Sequence, residues 1–135
     1  MPVVCRCGCG WTVYSPEEKH LIEKDDVMDF QDYQQKARET AVYPREYSML
    51  YPALGLCGEA GEVAEKIKKV IRDKGGEFDE FDRMNIRKEL GDVLWYIAQL
   101  CSDLDLRMES VAIANVEKLR VRKENGTLQG SGDDR

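Results

Sequence analysis

Two acidic motifs at helical spacing constrain this chain more than any other feature. Glu59-Ala60-Gly61-Glu62 and Glu89-Leu90-Gly91-Asp92 each set two carboxylates three residues apart. Residues i and i+3 of a helix are neighbours on one face, so each motif presents a pair of acids side by side. Packed face to face, the two helices bring four negative charges to the edge of one core. Such a cluster demands protonation or a compensating cation. Hard oxygen ligands of this kind suit Mg²⁺ or Mn²⁺.

The rest of the pattern is helical too. Ser15-Pro16-Glu17-Glu18 predicts a helix start, with Ser as N-cap, Pro at N1 and Glu at N3, opening a short helix towards Lys24. A second helix is expected over 26–41, with Val27, Phe30, Gln34 and Ala37 on one side and Pro44 beyond its end. The third begins near Pro52 and stops at Gly75-Gly76. A fourth spans 79–104 and a fifth 107–123, followed by an irregular tail punctuated by Gly126, Gly130 and Gly132. The expectation is an all-α four-to-five-helix bundle, organised as an N-terminal extension over 1–25, a helical domain over 26–125 and a glycine-rich tail over 126–135. No strand pattern follows the first fifteen residues.

At about 100° per residue, Glu59 and Glu62 border the apolar stripe of Val63, Ile67 and Val70. Glu89 and Asp92 flank Val93, Ile97 and Leu100 in the same way, and Tyr96 lies one turn beyond Asp92. Asn115, Lys118 and Arg122 share a face of the last helix. Acids and metal on one side, with Lys and Arg on another, complement a polyphosphate. The bland alternatives are solvated surface for the charges and a packing tyrosine for Tyr96. Glu65 and Lys69 read equally well as an ordinary i, i+4 surface pair.

Composition narrows the partners. A net charge of −6 over 135 residues argues against a nucleic-acid polymer, whose affinity comes from neutralised phosphates. No apolar run reaches the roughly 20 residues of a membrane span, and the N-terminus lacks the layout of a secretion signal. Five cysteines without such a signal suggest a reducing cytoplasm. Cys5, Cys7 and Cys9, with His20, invite a zinc reading. Their spacing is tighter than the usual Cys-x₂₋₄-Cys, and a short hairpin turning at Gly8 and Gly10 is the preferred account. A di-iron bundle is excluded, since it needs Glu-x-x-His pairs and His20 is the one histidine.

Gly55-Leu56-Cys57-Gly58-Glu59-Ala60-Gly61-Glu62-Val63-Ala64-Glu65, followed by Lys88-Glu89-Leu90-Gly91-Asp92-Val93-Leu94, resembles the MazG-type nucleotide pyrophosphohydrolases of the all-α NTP pyrophosphatase superfamily. The family signature is EExxE, a spacer and ExxD. The resemblance runs from about Gln31 to Arg135, and the tail 126–133 is similar to that of small single-domain members, phage-encoded ones among them.

The resemblance implies the reaction NTP + H₂O → NMP + PPi. Glu59, Glu62, Glu89 and Asp92 would hold two or more Mg²⁺ or Mn²⁺ ions, and Glu62 would also position or deprotonate the water. Lys118 and Arg122 match the family's Lys-x₃-Arg and would bind substrate phosphates, with Asn115 assisting; Lys69, from its place on the third helix, is a further candidate for binding substrate. Tyr96 stands where related dCTP enzymes stack the base. Gly58 replaces the first Glu of EExxE, which removes one ligand for a further metal. A homodimer or a dimer of dimers is implied, with a purine, (d)GTP first, as substrate. The alternatives are a non-catalytic helical adaptor or regulator, and a related pyrophosphatase acting on dCTP, dUTP or phosphoribosyl-ATP.

Overall fold

A computed structural model of the chain describes residues 28–133, and these form four α-helices and one short 3₁₀ turn with no strand among them. We number the helices α1 (Phe30–Arg38), α2 (Leu50–Lys74), α3 (Glu80–Asp103) and α4 (Met108–Glu124), with the 3₁₀ turn at Arg45–Tyr47. The all-α expectation is met. The helix expected over 15–24, the cysteine hairpin and His20 lie outside the described residues.

α1 is shorter than its pattern suggested. Asp29 caps it by accepting from the Asp32 amide at 2.8 Å. Its other end comes three residues before Ala41, where the Thr40 hydroxyl donates to the Ala37 carbonyl at 2.8 Å and competes with the helical ladder. Pro44 then holds Tyr43 out of the helical region. Met49 leads into α2 with a left-handed φ of 66°. Pro52 sits in the first turn, where its missing N–H costs nothing, and is fully buried. α2 ends in a Schellman closure, with Gly75 at φ 62° and the Gly76 amide donating to Val70 O at 3.2 Å.

Asp79 and Asp82 form a capping box at the start of α3. Lys74, at the end of α2, reaches across to both carboxylates at 2.7 Å. The lysine hydrogen bond leads the causes that hold the Asp79 carboxyl down at about 2. This turn fixes α2 and α3 as an antiparallel pair, and contacts along them run in opposite order: Lys74 with Asp82, Lys66 with Glu89, Gly55 with Tyr96.

α1 crosses α3 and also touches α4. The buried centre is small: Ala37, Ala98, Cys101 and Met108, with Tyr33, Leu94, Trp95 and Ile97 packed around them. Gln34 of α1 ties the chain at the α3–α4 corner. Its amide nitrogen donates to Ser102 Oγ at 3.1 Å and Leu106 O at 2.9 Å, and its oxygen accepts from the Met108 amide at 2.7 Å. One side chain thereby satisfies orphan groups at two helix ends.

Candidate functional site

α2 lays out its polar chemistry along one face. Tyr51, Gly55, Glu59, Glu62, Lys66 and Lys69 follow at steps of four and three residues, the spacing of a single helical stripe. α3 meets this stripe with Tyr96, Asp92 and Glu89. Glu59, Glu89 and Asp92 each offer an oxygen, and the three oxygens lie within 4.8 Å of one another. Glu62 is exposed one turn further along α2, outside that group but close enough for its charge to act on Glu59.

The electrostatics show the strain of the cluster. The Glu59 carboxyl is held above the usual carboxylate range, first by burial and then by the charges of Asp92, Glu62 and Glu89. One cation answers from within the site. Lys66 Nζ stands 2.9 Å from Glu89, and its own pKa is raised chiefly by that hydrogen bond. The Lys66 ammonium does not balance four carboxylates, and every donor of the cluster is a hard oxygen. The residues fit a divalent cation such as Mg²⁺ or Mn²⁺.

Tyr96 packs across Gly55 at one end of the cluster. Its phenol pKa is raised, first by burial, then by Tyr51 and the nearby Glu59 carboxylate. Around it stand Trp95, edge-on at 5.0 Å between ring centroids, and Tyr51 at 6.5 Å. Tyr51 in turn stacks on Tyr43 at 5.1 Å with 12° between the planes. At the other end of the cluster a cleft of about 330 Å³ opens between α2 and α3, lined by Lys66, Lys69, Lys74 and Asn85 among others. Lys69 is exposed there and pairs with Glu65 at 3.5 Å.

The α4 residues are placed differently from one another. Asn115 and Lys118 are exposed, whereas Arg122 is buried beneath the tail. The Arg122 Nη2 donates to Asp133 O, with the Asp133 carboxylate 3.9 Å away. They do not form one exposed row, and no ion pair joins Lys118 or Arg122 to the acidic cluster among the described residues. Lys66, Tyr51 and Gly55 are absent from the sequence-based set. The continuous stripe on α2 was the signal that could have found the first two; the Gly55–Tyr96 contact depends on helix pairing and leaves no local mark.

The family model described as the MazG nucleotide pyrophosphohydrolase domain matches residues 49–127, a span that takes in both acidic motifs and α4. The Gene 37 protein of Mycobacterium phage L5 is 45% identical over 109 residues, covering 76% of this chain and 96% of the phage protein. No solved structure matches the chain.

Proposed function

Since this chain belongs to the MazG nucleotide pyrophosphohydrolase family, we propose that it is a metal-dependent hydrolase converting (d)NTP and water to (d)NMP and pyrophosphate. The observation that carries the reading is the convergence of Glu59, Glu89 and Asp92 from facing helices, inside the family-matched segment. Purine nucleotides, (d)GTP first, are the proposed substrates.

Glu59, Glu62, Glu89 and Asp92 would hold two or more Mg²⁺ or Mn²⁺ ions. Such ions supply Lewis acidity, neutralising phosphate charge and easing the deprotonation of water. Glu62, exposed beside the cluster rather than within it, is suited to orient the attacking water and take its proton. The oxygen attacks at the α–β linkage, the bridging P–O bond breaks, and pyrophosphate leaves. Lys69 and Lys118, with Asn115, would stabilise the phosphates electrostatically. Arg122 would join them by exchanging the tail contact at Asp133 for a phosphate oxygen. Tyr96 would sit under the nucleoside.

A homodimer or a dimer of dimers is part of this reading. Leu54, Ile71, Phe81, Ile113 and Val116 are all at least 60% exposed in the single chain, and a subunit interface would cover such side chains. The free thiols of Cys57 and Cys101 suit a reducing cytoplasm, and no described helix is long and apolar enough to cross a membrane.

The test is pyrophosphate release from a panel of NTPs and dNTPs with Mg²⁺ or Mn²⁺, run beside Glu62→Ala. Metal-dependent release that disappears in the variant is expected. No release from any nucleotide would overturn the reading and bring forward a binding role.

A further inference from the structure

Beyond the aromatic cluster, on the side away from the lysine-lined cleft, lies a second hollow. Arg38, Ala41, Tyr43, Arg45 and Ser48 enclose about 230 Å³ there. Whole-ligand pockets usually run from about 300 to 1,000 Å³, so this one suits a single planar part of a larger molecule.

Tyr43 joins the hollow to the catalytic cluster. Its ring lines the hollow, stacks on Tyr51 and meets Trp95 edge-on at 6.5 Å. Tyr51 leads to Tyr96, and Tyr96 to Glu59 and Asp92. A nucleotide with its phosphates at the carboxylates would lay its sugar by Tyr96 and its base along Tyr51, with the edge of the base towards the hollow.

Two guanidinium groups stand there, and among the described residues Arg38 is held by partners while Arg45 is exposed. Arg38 is committed: Nη1 donates to Tyr43 Oη at 2.7 Å and Gln99 Oε1 at 2.9 Å, and Nη2 pairs with Asp103 at 2.9 Å. These bonds lock the Tyr43 ring as a fixed wall. Arg45 is exposed and opens the 3₁₀ turn directly after Pro44, whose ring restricts the approach of the chain. The guanidinium fork is matched by two adjacent acceptors, and of the two purines guanine offers that pair at O6 and N7. Adenine sets a donor beside N7 instead.

We infer that this hollow is the base subsite and that Arg45 reads the O6/N7 edge of guanine, making the enzyme selective for guanine over adenine nucleotides. The inference rests on the hydrolase reading above and adds the residue that chooses the base.

The experiment compares dGTP, dITP, 7-deaza-dGTP and dATP on the full chain and on Arg45→Gln, by initial rates of pyrophosphate release with Mg²⁺. The wild type should favour dGTP and dITP, which keep both acceptors, over 7-deaza-dGTP, which lacks N7, and over dATP. Arg45→Gln should lower kcat/KM for dGTP roughly 5- to 150-fold through KM, the worth of one bidentate base contact. Its dATP rate should hold or rise, because glutamine pairs with adenine N6 and N7. An unchanged dGTP-to-dATP ratio in the variant, or equal rates for dGTP and 7-deaza-dGTP in the wild type, overturns the inference. If no nucleotide is hydrolysed, the hydrolase reading has failed by itself. Calorimetric titration of dGTP and dATP with Mg²⁺ then decides: a dGTP preference lost in Arg45→Gln upholds the base reading, and equal or absent binding sinks it.

Discussion

The phenol ring of Tyr96 lies over the backbone of Gly55 so closely that a Cβ there would overlap Cδ1, Cε1 and Cζ. The missing side chain lets α3 come close at that level of α2, one turn from Glu59. Gly55→Ala should force the ring aside at about 1–3 kcal/mol of overpacking, offset by up to about 1 kcal/mol of better helix propensity. Gly58→Ala is the control, since its added Cβ meets nothing within 4 Å. Thermal melts should show Gly55→Ala lowered and Gly58→Ala level or raised, with pyrophosphate release reduced only in the former.

The carboxylate cluster should respond to metal in a way that separates charge relief from ligation. Glu59 ionises against burial and three neighbouring acids. Glu59→Gln should therefore leave the metal-free protein as stable as the wild type or more so. Mg²⁺ or Mn²⁺ should raise the wild-type Tm, by about 2.7 kcal/mol of stabilisation at a hundred times Kd, and should have little effect on the variant. An equal rise in both would remove Glu59 from the ligand set.

Lys66 should compete with a metal ion for Glu89. With the ammonium 2.9 Å from that carboxylate, Lys66→Met should lower Tm without metal and enlarge the increase that metal brings. Isothermal titration with Mn²⁺ checks this, and weaker Mn²⁺ binding in the variant would count against it.

Asp103 should show in the acid limb of stability. Burial pushes its carboxyl up, but hydrogen bonds from the Met49 amide and Tyr43 and the Arg38 ion pair outweigh burial and hold it below the usual range. Folding favours the ionised form, so the contribution is complete above the unfolded pKa of about 3.9. It fades as pH falls through the lower folded value. Removing one partner of a buried pair costs about 3–5 kcal/mol, and about 2–3 is expected for Asp103→Asn because the Arg38 side chain is 42% exposed. Urea melts should show that gap near neutrality and its narrowing below about pH 4.

The α4 cations should part company. Lys118 is exposed, so Lys118→Ala should change stability by no more than about 0.5 kcal/mol while raising KM. Arg122→Ala should lower both Tm and activity, because its side chain is 7% exposed and anchors the tail at Asp133. Full activity in Lys118→Ala would withdraw it from the phosphate site.

Local chemistry was enough for the helices and for one half of the site. Gly75-Gly76 ended α2 and Asp79 opened α3 because caps act within a turn of the residues that make them. The acids at i and i+3 were bound to share a face wherever a helix formed. The premature end of α1 was not legible, since a Thr40 bond to Ala37 and the hold of Arg38 on α3 override the apolar period. Which carboxylates would meet was decided by the antiparallel pairing of α2 with α3, which drew Glu59, Glu89 and Asp92 together, left Glu62 exposed and placed Lys66 against Glu89. The burial of Arg122 comes from the tail folding back over α4 as far as Asp133, a reversal that the helical period does not record. Sequence determines what each face carries, because periodicity is a property of one helix; which faces meet depends on contacts between segments far apart in the chain, and these the folded structure alone decides.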